Sequence, residues 1–214
     1  QAAPLEYMSK DRFMPRAGFT RVTGAEAFGE PGEEPEGWGP PDPVYFEDIA
    51  RRLQKLDQED SRWLVTLLNV GTHHPFKTGG KTAIARDEGS PLPTDPQHAR
   101  RNAMSVMEEE LAGFLDRMEQ AGILDNTLII LTSDESGGFV RQGQDSFPLN
   151  GNTGLLAIRP PRPGHLGDYA DHDRIVAQLD IPLTILDATG TAGPVAPMTG
   201  RSLLSRGDGL EREL

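Results

Sequence analysis

The stretch TLIILTSDESGG, residues 127–138, carries an aliphatic and β-branched run straight into two carboxylates and a glycine pair. The run is short. It is bounded by the turn residues Asp125 and Asn126 before it and by Ser-Gly-Gly after it, a pattern that predicts a buried strand. Asp134 and Glu135 then stand at the strand's carboxyl end, the edge of an open α/β sheet where ligands are commonly held. A local reading competes with the functional one, because Asp and Ser often cap the turn that leaves a strand. Spacing leaves both open.

Working outward, WLVTLLNV at 63–70 is a continuous apolar run that predicts a strand buried on both faces, and it exits into GTHHPF. TGLLAIR at 153–159 predicts a third strand, stopped by Pro160 and Pro161. Helices fall between these runs. Asp42 reads as a cap with Pro43 at the first helical position, followed by Phe46, Ile49, Leu53 and Leu56 on one side. Asp95 and Pro96 repeat that start, and Ala103, Met107, Leu111, Phe114 and Met118 then recur on one face, with Gly122 closing the helix in a left-handed turn. Residues 173–189 read as helical pieces around IPLTILDATG, with Pro182 at a start and Gly190 as terminator. Strands alternating with helices predict an α/β fold with a mainly parallel sheet and flanking helices. The first and last strands show little alternation and so require cover on both sheet faces, which three clear helices cannot supply. The chain therefore reads as an incomplete portion of a larger fold, or one that relies on a partner for cover.

Composition excludes several classes. The formal net charge is -12, from 33 acidic against 21 basic residues, which argues against nucleic acid as a partner. There is no cysteine, so any metal must be held by carboxylate, hydroxyl or imidazole. No apolar run is long enough to span a bilayer. Residues 24–43 are dense in Gly, Pro and Glu and read as an exposed loop.

Two strand exits concentrate polar chemistry: Thr72-His73-His74 after the first run and Ser133-Asp134-Glu135-Ser136 after the second. In a parallel sheet both exits share one edge, where imidazole and carboxylates can hold a divalent cation or a substrate anion. Neighbouring residues on an extended chain point to opposite sides, so one of each pair is expected to face a given site. Packing or solvation of the histidines is the competing reading. His165 and His172 lie in a Pro-rich loop and need no role. Trp38, within GWGPPD, reads as a packing anchor, and Glu108 to Glu110 as the solvated flank of a helix. Phosphate-loop, Gly-x-Ser-x-Gly and His-Glu-x-x-His motifs are absent.

The series GWGPPDPVYFEDIARRLQKL, WLVTLLNVGTHHPF, AGILDNTLIILTSDESGG, DIPLTILDATG and GRSLL resembles, in order, the carboxyl-terminal half of the sulfatase branch of the alkaline phosphatase superfamily. It is most similar to the phosphoglycerol transferases and lipoteichoic acid synthases. The likeness covers about Gly18 to Leu204 and implies one sulfatase-like domain portion over 1–214, with 18–42 as loop region and 43–204 as α/β core. It implies a metalloenzyme that attacks a phosphate or sulfate ester, such as a glycerophospholipid or glycan ester, with a hydroxyl nucleophile. It places that enzyme in the periplasm or on the extracellular face of a bacterial membrane. The implied cofactor is a divalent metal: manganese, zinc, magnesium or calcium. By the family's Ser-Asp-His-Gly pattern Asp134 is a metal ligand. Glu135 stands where the His is expected, and remains a possible second ligand. His73 falls on the family's substrate-contacting histidine. The nucleophile belongs to an amino-terminal half that nothing before Gly18 resembles, so that half is an implied partner. The alternative is an inactive pseudoenzyme or interaction domain on the same scaffold.

Overall fold

The computed structural model describes residues 1–28, 38–59, 61–74, 76, 78, 96–134, 154–161, 176–191 and 198–204. The chain divides into two compact units, Gln1–Ile123 and Leu124–Leu214.

In the first unit a short helix α1, Lys10–Arg16, precedes two longer ones: α2, Asp42–Asp57, and α3, Pro96–Gln120. The apolar spacing read from the sequence is what packs α2 on α3. Tyr45, Phe46, Ile49, Ala50 and Leu53 of α2 are buried, as are Ala103, Val106, Phe114 and Met118 of α3. The Phe46 and Phe114 rings meet with centroids 5.5 Å apart. Met107 and Leu111 lie only half-buried on the predicted stripe, and Val106 takes a core position beside it. Gly122 closes α3 at φ 73°, in the left-handed region expected of it. Glu108 and Glu109 are exposed, as predicted for a solvated flank.

The amino-terminal residues thread into this core. Ala2 and Ala3 are buried, the Ala2 N–H donates to Leu68 O at 2.7 Å, and the Ala25 N–H donates to Ala3 O at 2.9 Å. Gly39 lies against this thread, where a Cβ would stand 2.8 Å from the Ala2 carbonyl carbon, so only glycine fits.

The run 63–70 differs from its expectation. It is extended, but among the described residues no ladder pairs with it, and Leu64 and Leu67 are exposed. A strand buried on both faces needs neighbours on both edges and layers above and below, and here its contacts are the amino-terminal thread and α2.

The second unit carries β1, Ile129–Thr132, β2, Leu156–Arg159, and α4, Asp180–Ala188. Both strands fall within their predicted runs, but they pair antiparallel, with Ile129 opposite Arg159 and Thr132 opposite Leu156. The mainly parallel sheet is therefore not what the described residues form. The reason is legible in retrospect: a parallel pair needs a crossover, usually helical, and the Gly-rich sequence between these runs carries no helical pattern. Antiparallel pairing sets the exit of β1 beside the entry of β2. Both strands are partly exposed, so they are not covered on two faces.

Helix α4 ends at Gly190, φ 64°, as predicted, while Pro182 is its third residue. The tail 198–204 is stitched back onto α4. Buried Asp180 accepts from the Ala177 N–H at 2.8 Å and the Arg201 N–H at 2.9 Å. Thr184 Oγ1 accepts from the Leu203 N–H at 3.0 Å, and the Ser202 hydroxyl donates to Asp187 at 2.6 Å.

Candidate functional site

The first polar cluster forms where α2 begins. Pro41, at φ -65° and ψ 153°, delivers an extended chain into the helix, and Asp42 is the first helical residue rather than the cap. Its carboxylate turns to the segment that leaves the 63–70 run. It accepts from Asn69 Nδ2, at 3.2 and 3.3 Å to its two oxygens, and from the Gly71 N–H at 3.3 Å. One turn along, Tyr45 Oη accepts from the Leu68 N–H at 3.0 Å. Both side chains are buried. Burial raises the Asp42 carboxyl above its ordinary range, the Asn69 and Gly71 hydrogen bonds oppose that rise, and the Glu110 carboxylate adds to it. Burial likewise raises the Tyr45 phenol.

This anchorage presents the Thr-His-His turn. The His73 N–H donates to Val70 O at 2.9 Å, closing a turn across Gly71. The His73 ring packs on Trp38 with centroids 4.8 Å apart, and Trp38 in turn meets Tyr7 edge-on at 4.6 Å. His73 Nδ1 lies 2.7 Å from the His74 carbonyl oxygen. A carbonyl only accepts, so Nδ1 carries the hydrogen, and Nε2 is the nitrogen open to a ligand. Trp38, Pro40, Val70, Gly71, His73 and His74 line a shallow depression around the exposed imidazole. His74 faces Phe76 instead, ring centroids 5.7 Å apart. The segment is a turn rather than an extended chain, so the expected alternation of the two histidines does not apply, and both border the depression. Trp38 is the anchor the sequence suggested, and it also forms a wall of the depression.

The second cluster is the exit of β1, in the other unit. Ser133, given no role by the sequence, fixes this exit: its N–H donates to Leu155 O at 3.2 Å and its Oγ accepts from the Leu155 N–H at 3.0 Å. Gln178 Nε2 donates to Ser133 O at 2.9 Å. At Gly154 a Cβ would overlap the Ser133 hydroxyl, so glycine permits this close approach. Asp134 follows directly and is exposed. Glu135, His165 and His172 lie outside the described residues. Among the described residues no group of three or more His, Asp or Glu side chains could hold a metal ion. One exposed carboxylate is a poor ligand set for any divalent cation, which takes several donors.

The family model described as Sulfatase matches residues 2–191. The chain belongs to the sulfatase family. Among curated proteins, this sulfatase chain is 26% identical over 140 residues to phosphoglycerol transferase I of Citrobacter koseri, covering 63% of the chain and 18% of that protein. It is 24% identical over 140 residues to phosphoglycerol transferase I of Escherichia coli strain 55989, with the same coverage. Two solved structures share the fold. Lipoteichoic acid synthase LtaP of Listeria monocytogenes superposes with TM-score 0.75 at 17% identity, over 95% of the chain and 52% of the Listeria chain. An alkaline phosphatase superfamily protein of Vibrio parahaemolyticus gives TM-score 0.71 at 20% identity, over 95% of the chain and 46% of the Vibrio chain. The fold is accordingly alkaline-phosphatase-like, and the sulfatase chain spans about half of these folds.

Proposed function

We propose that this chain forms the substrate-contacting part of a sulfatase-like, metal-dependent enzyme that transfers or hydrolyses a phosphoglycerol-type phosphate ester. The observation that carries the reading is the His73 imidazole, which is exposed, seated on Trp38 and committed at Nδ1, so that Nε2 is the ring nitrogen left for a ligand. A neutral Nε2 accepts a proton or a hydrogen bond, and a protonated one donates to a phosphate oxygen with charge assistance. The ring's packing on Trp38 restricts its rotamers and pre-orients that nitrogen. The curated relatives' name, phosphoglycerol transferase I, favours the phosphate ester over the sulfate ester.

Asp134 is proposed as a metal ligand and Glu135, the next residue in the sequence, as a second, from the likeness of Ser-Asp-Glu-Ser to the family's Ser-Asp-His-Gly pattern. The hydroxyl nucleophile is not assigned to any residue of this chain, and an amino-terminal half of the fold is its proposed source. The periplasm or the extracellular face of a bacterial membrane is the proposed location. No helix among the described residues is long and apolar enough to cross a membrane.

Titration with sn-glycerol 1-phosphate, followed by NMR of the histidine rings, tests the reading. The expected result is a shift of the His73 ring signals on binding, with affinity reduced about tenfold, or about 1.4 kcal/mol, in His73→Ala. Binding that is indifferent to His73→Ala contradicts it. The second reading, an inactive interaction domain, is favoured by Glu135 standing where the family pattern has His. It predicts no affinity for the ester.

A further inference from the structure

The first turn of α2 buries polar groups that helix packing does not call for. A core-facing helix position is normally apolar, and a buried carboxylate costs free energy unless hydrogen bonds compensate it. Asp42 is nonetheless 2% exposed and Tyr45 0%. An Asp at a helix start is favourable when exposed, through the dipole alone, and needs no burial for that role. The hydrogen bonds that Asp42 accepts come instead from Asn69 and Gly71.

We infer that Asp42 is a positioning residue for His73: its carboxylate fixes the Gly71 turn and thereby holds the imidazole on Trp38 with Nε2 left for a ligand. The inference rests on the reading of His73 as the ester contact. The linkage is short. Asp42 takes the Gly71 N–H, and the His73 N–H closes back onto Val70 O. Only Thr72 separates the anchored Gly71 from His73, so a displacement of Gly71 moves the His73 backbone with it. The contact uses glycine's missing side chain as well as its N–H, since a Cβ at residue 71 would stand 2.5 Å from the Asp42 carboxylate carbon. Tyr45, which takes the Leu68 N–H, fixes the same segment one turn further along α2. The α2 start thus grips residues 68–71 by two side chains, and the turn beyond them carries the imidazole. Trp38, just before α2, supplies the surface on which the ring rests. Helix start, turn and ring platform are one assembly.

The test compares wild type, Asp42→Ala, Asp42→Asn and Asn69→Ala by nuclear Overhauser contacts between the Trp38 indole and His73 imidazole, and by affinity for sn-glycerol 1-phosphate. In Asp42→Ala the ring contacts are expected to vanish and the affinity to fall about tenfold, because a side chain about 1 Å out of place loses its pre-orientation. In a His73→Ala background the same substitution changes the affinity little. Asp42→Asn keeps one oxygen for the Gly71 N–H and restores the ring contacts and most of the affinity. Asn69→Ala keeps the Gly71 bond and gives a partial loss, which carries the test if Asp42→Ala does not fold. Unchanged ring contacts and affinity in Asp42→Ala, or in Asn69→Ala where that variant carries the test, overturn the inference. If wild type binds no glycerol phosphate, the reading of His73 has failed, and the ring contacts alone decide whether Asp42 positions it.

Discussion

Gly71→Ala is the substitution whose cost can be worked most fully from the geometry. The added methyl would stand 2.5 Å from the Asp42 carboxylate carbon and 2.8 Å from Oδ1, well inside van der Waals contact. Gly71 and Asp42 are both buried, so neither can relax into solvent. Overpacking at a closed site costs about 1–3 kcal/mol. Relief by moving the carboxylate would break the Gly71 N–H bond at 3.3 Å, and hydrogen bonds to charged groups are worth about 1.5–3 kcal/mol. The protein must accept one loss or the other, so a destabilisation of about 1–3 kcal/mol is expected, or a melting shift of about 2–12 °C for a chain of this size. Urea unfolding of Gly71→Ala, Asp42→Ala and the double variant measures it. Asp42→Ala removes the colliding group, so in that background Gly71→Ala should cost less by about 1 kcal/mol or more. Equal costs in both backgrounds would refute the packing argument.

Other outcomes follow from the same geometry. The Asp42 carboxyl titrates above its ordinary value of 3.8, so the native state holds that proton more tightly than the unfolded chain. Its contribution to stability is complete below 3.8 and is lost as pH rises from there to the raised value; urea midpoints across this window should show the loss, and Asp42→Asn should remove it. Phe46→Ala, at a side chain 5% exposed against Phe114, should cost about 3–5 kcal/mol in urea or thermal unfolding. Asp180→Ala leaves the Ala177 and Arg201 N–H groups without that carboxylate, for about 1–3 kcal/mol, and should speed limited proteolysis within 198–204.

The helices were legible because their information is local. The apolar spacing of Phe46, Ile49 and Leu53 and the glycine stops at 122 and 190 fix elements without reference to distant partners. Sheet pairing is non-local, and the one pair formed among the described residues, β1 with β2, is antiparallel where the sequence reading expected parallel neighbours. The same physics defeated the doubly buried strand at 63–70, since an apolar run specifies an extended chain but not the neighbours that cover it. Helix α1 went unread; its exposed Phe13 and internal Pro15 give no amphipathic signal. At the site, residue type singled out His73 and Asp134, whereas Asp42, Asn69 and Tyr45 escaped because their roles depend on contacts 23 to 29 residues away. Asp42 was read as a helix cap, the commoner use of an Asp before Pro; the structure sends its carboxylate to Gly71 instead.

The proposed metal function turns on the carboxylates at the β1 exit, and calorimetric titration with manganese addresses it directly. With the amino-terminal half of the fold supplied, wild type should bind one equivalent, with affinity reduced about tenfold or more in Asp134→Asn and in Glu135→Gln, as expected when one of a few oxygen ligands is lost. Manganese affinity that is absent in wild type, or untouched by both substitutions, would contradict the account.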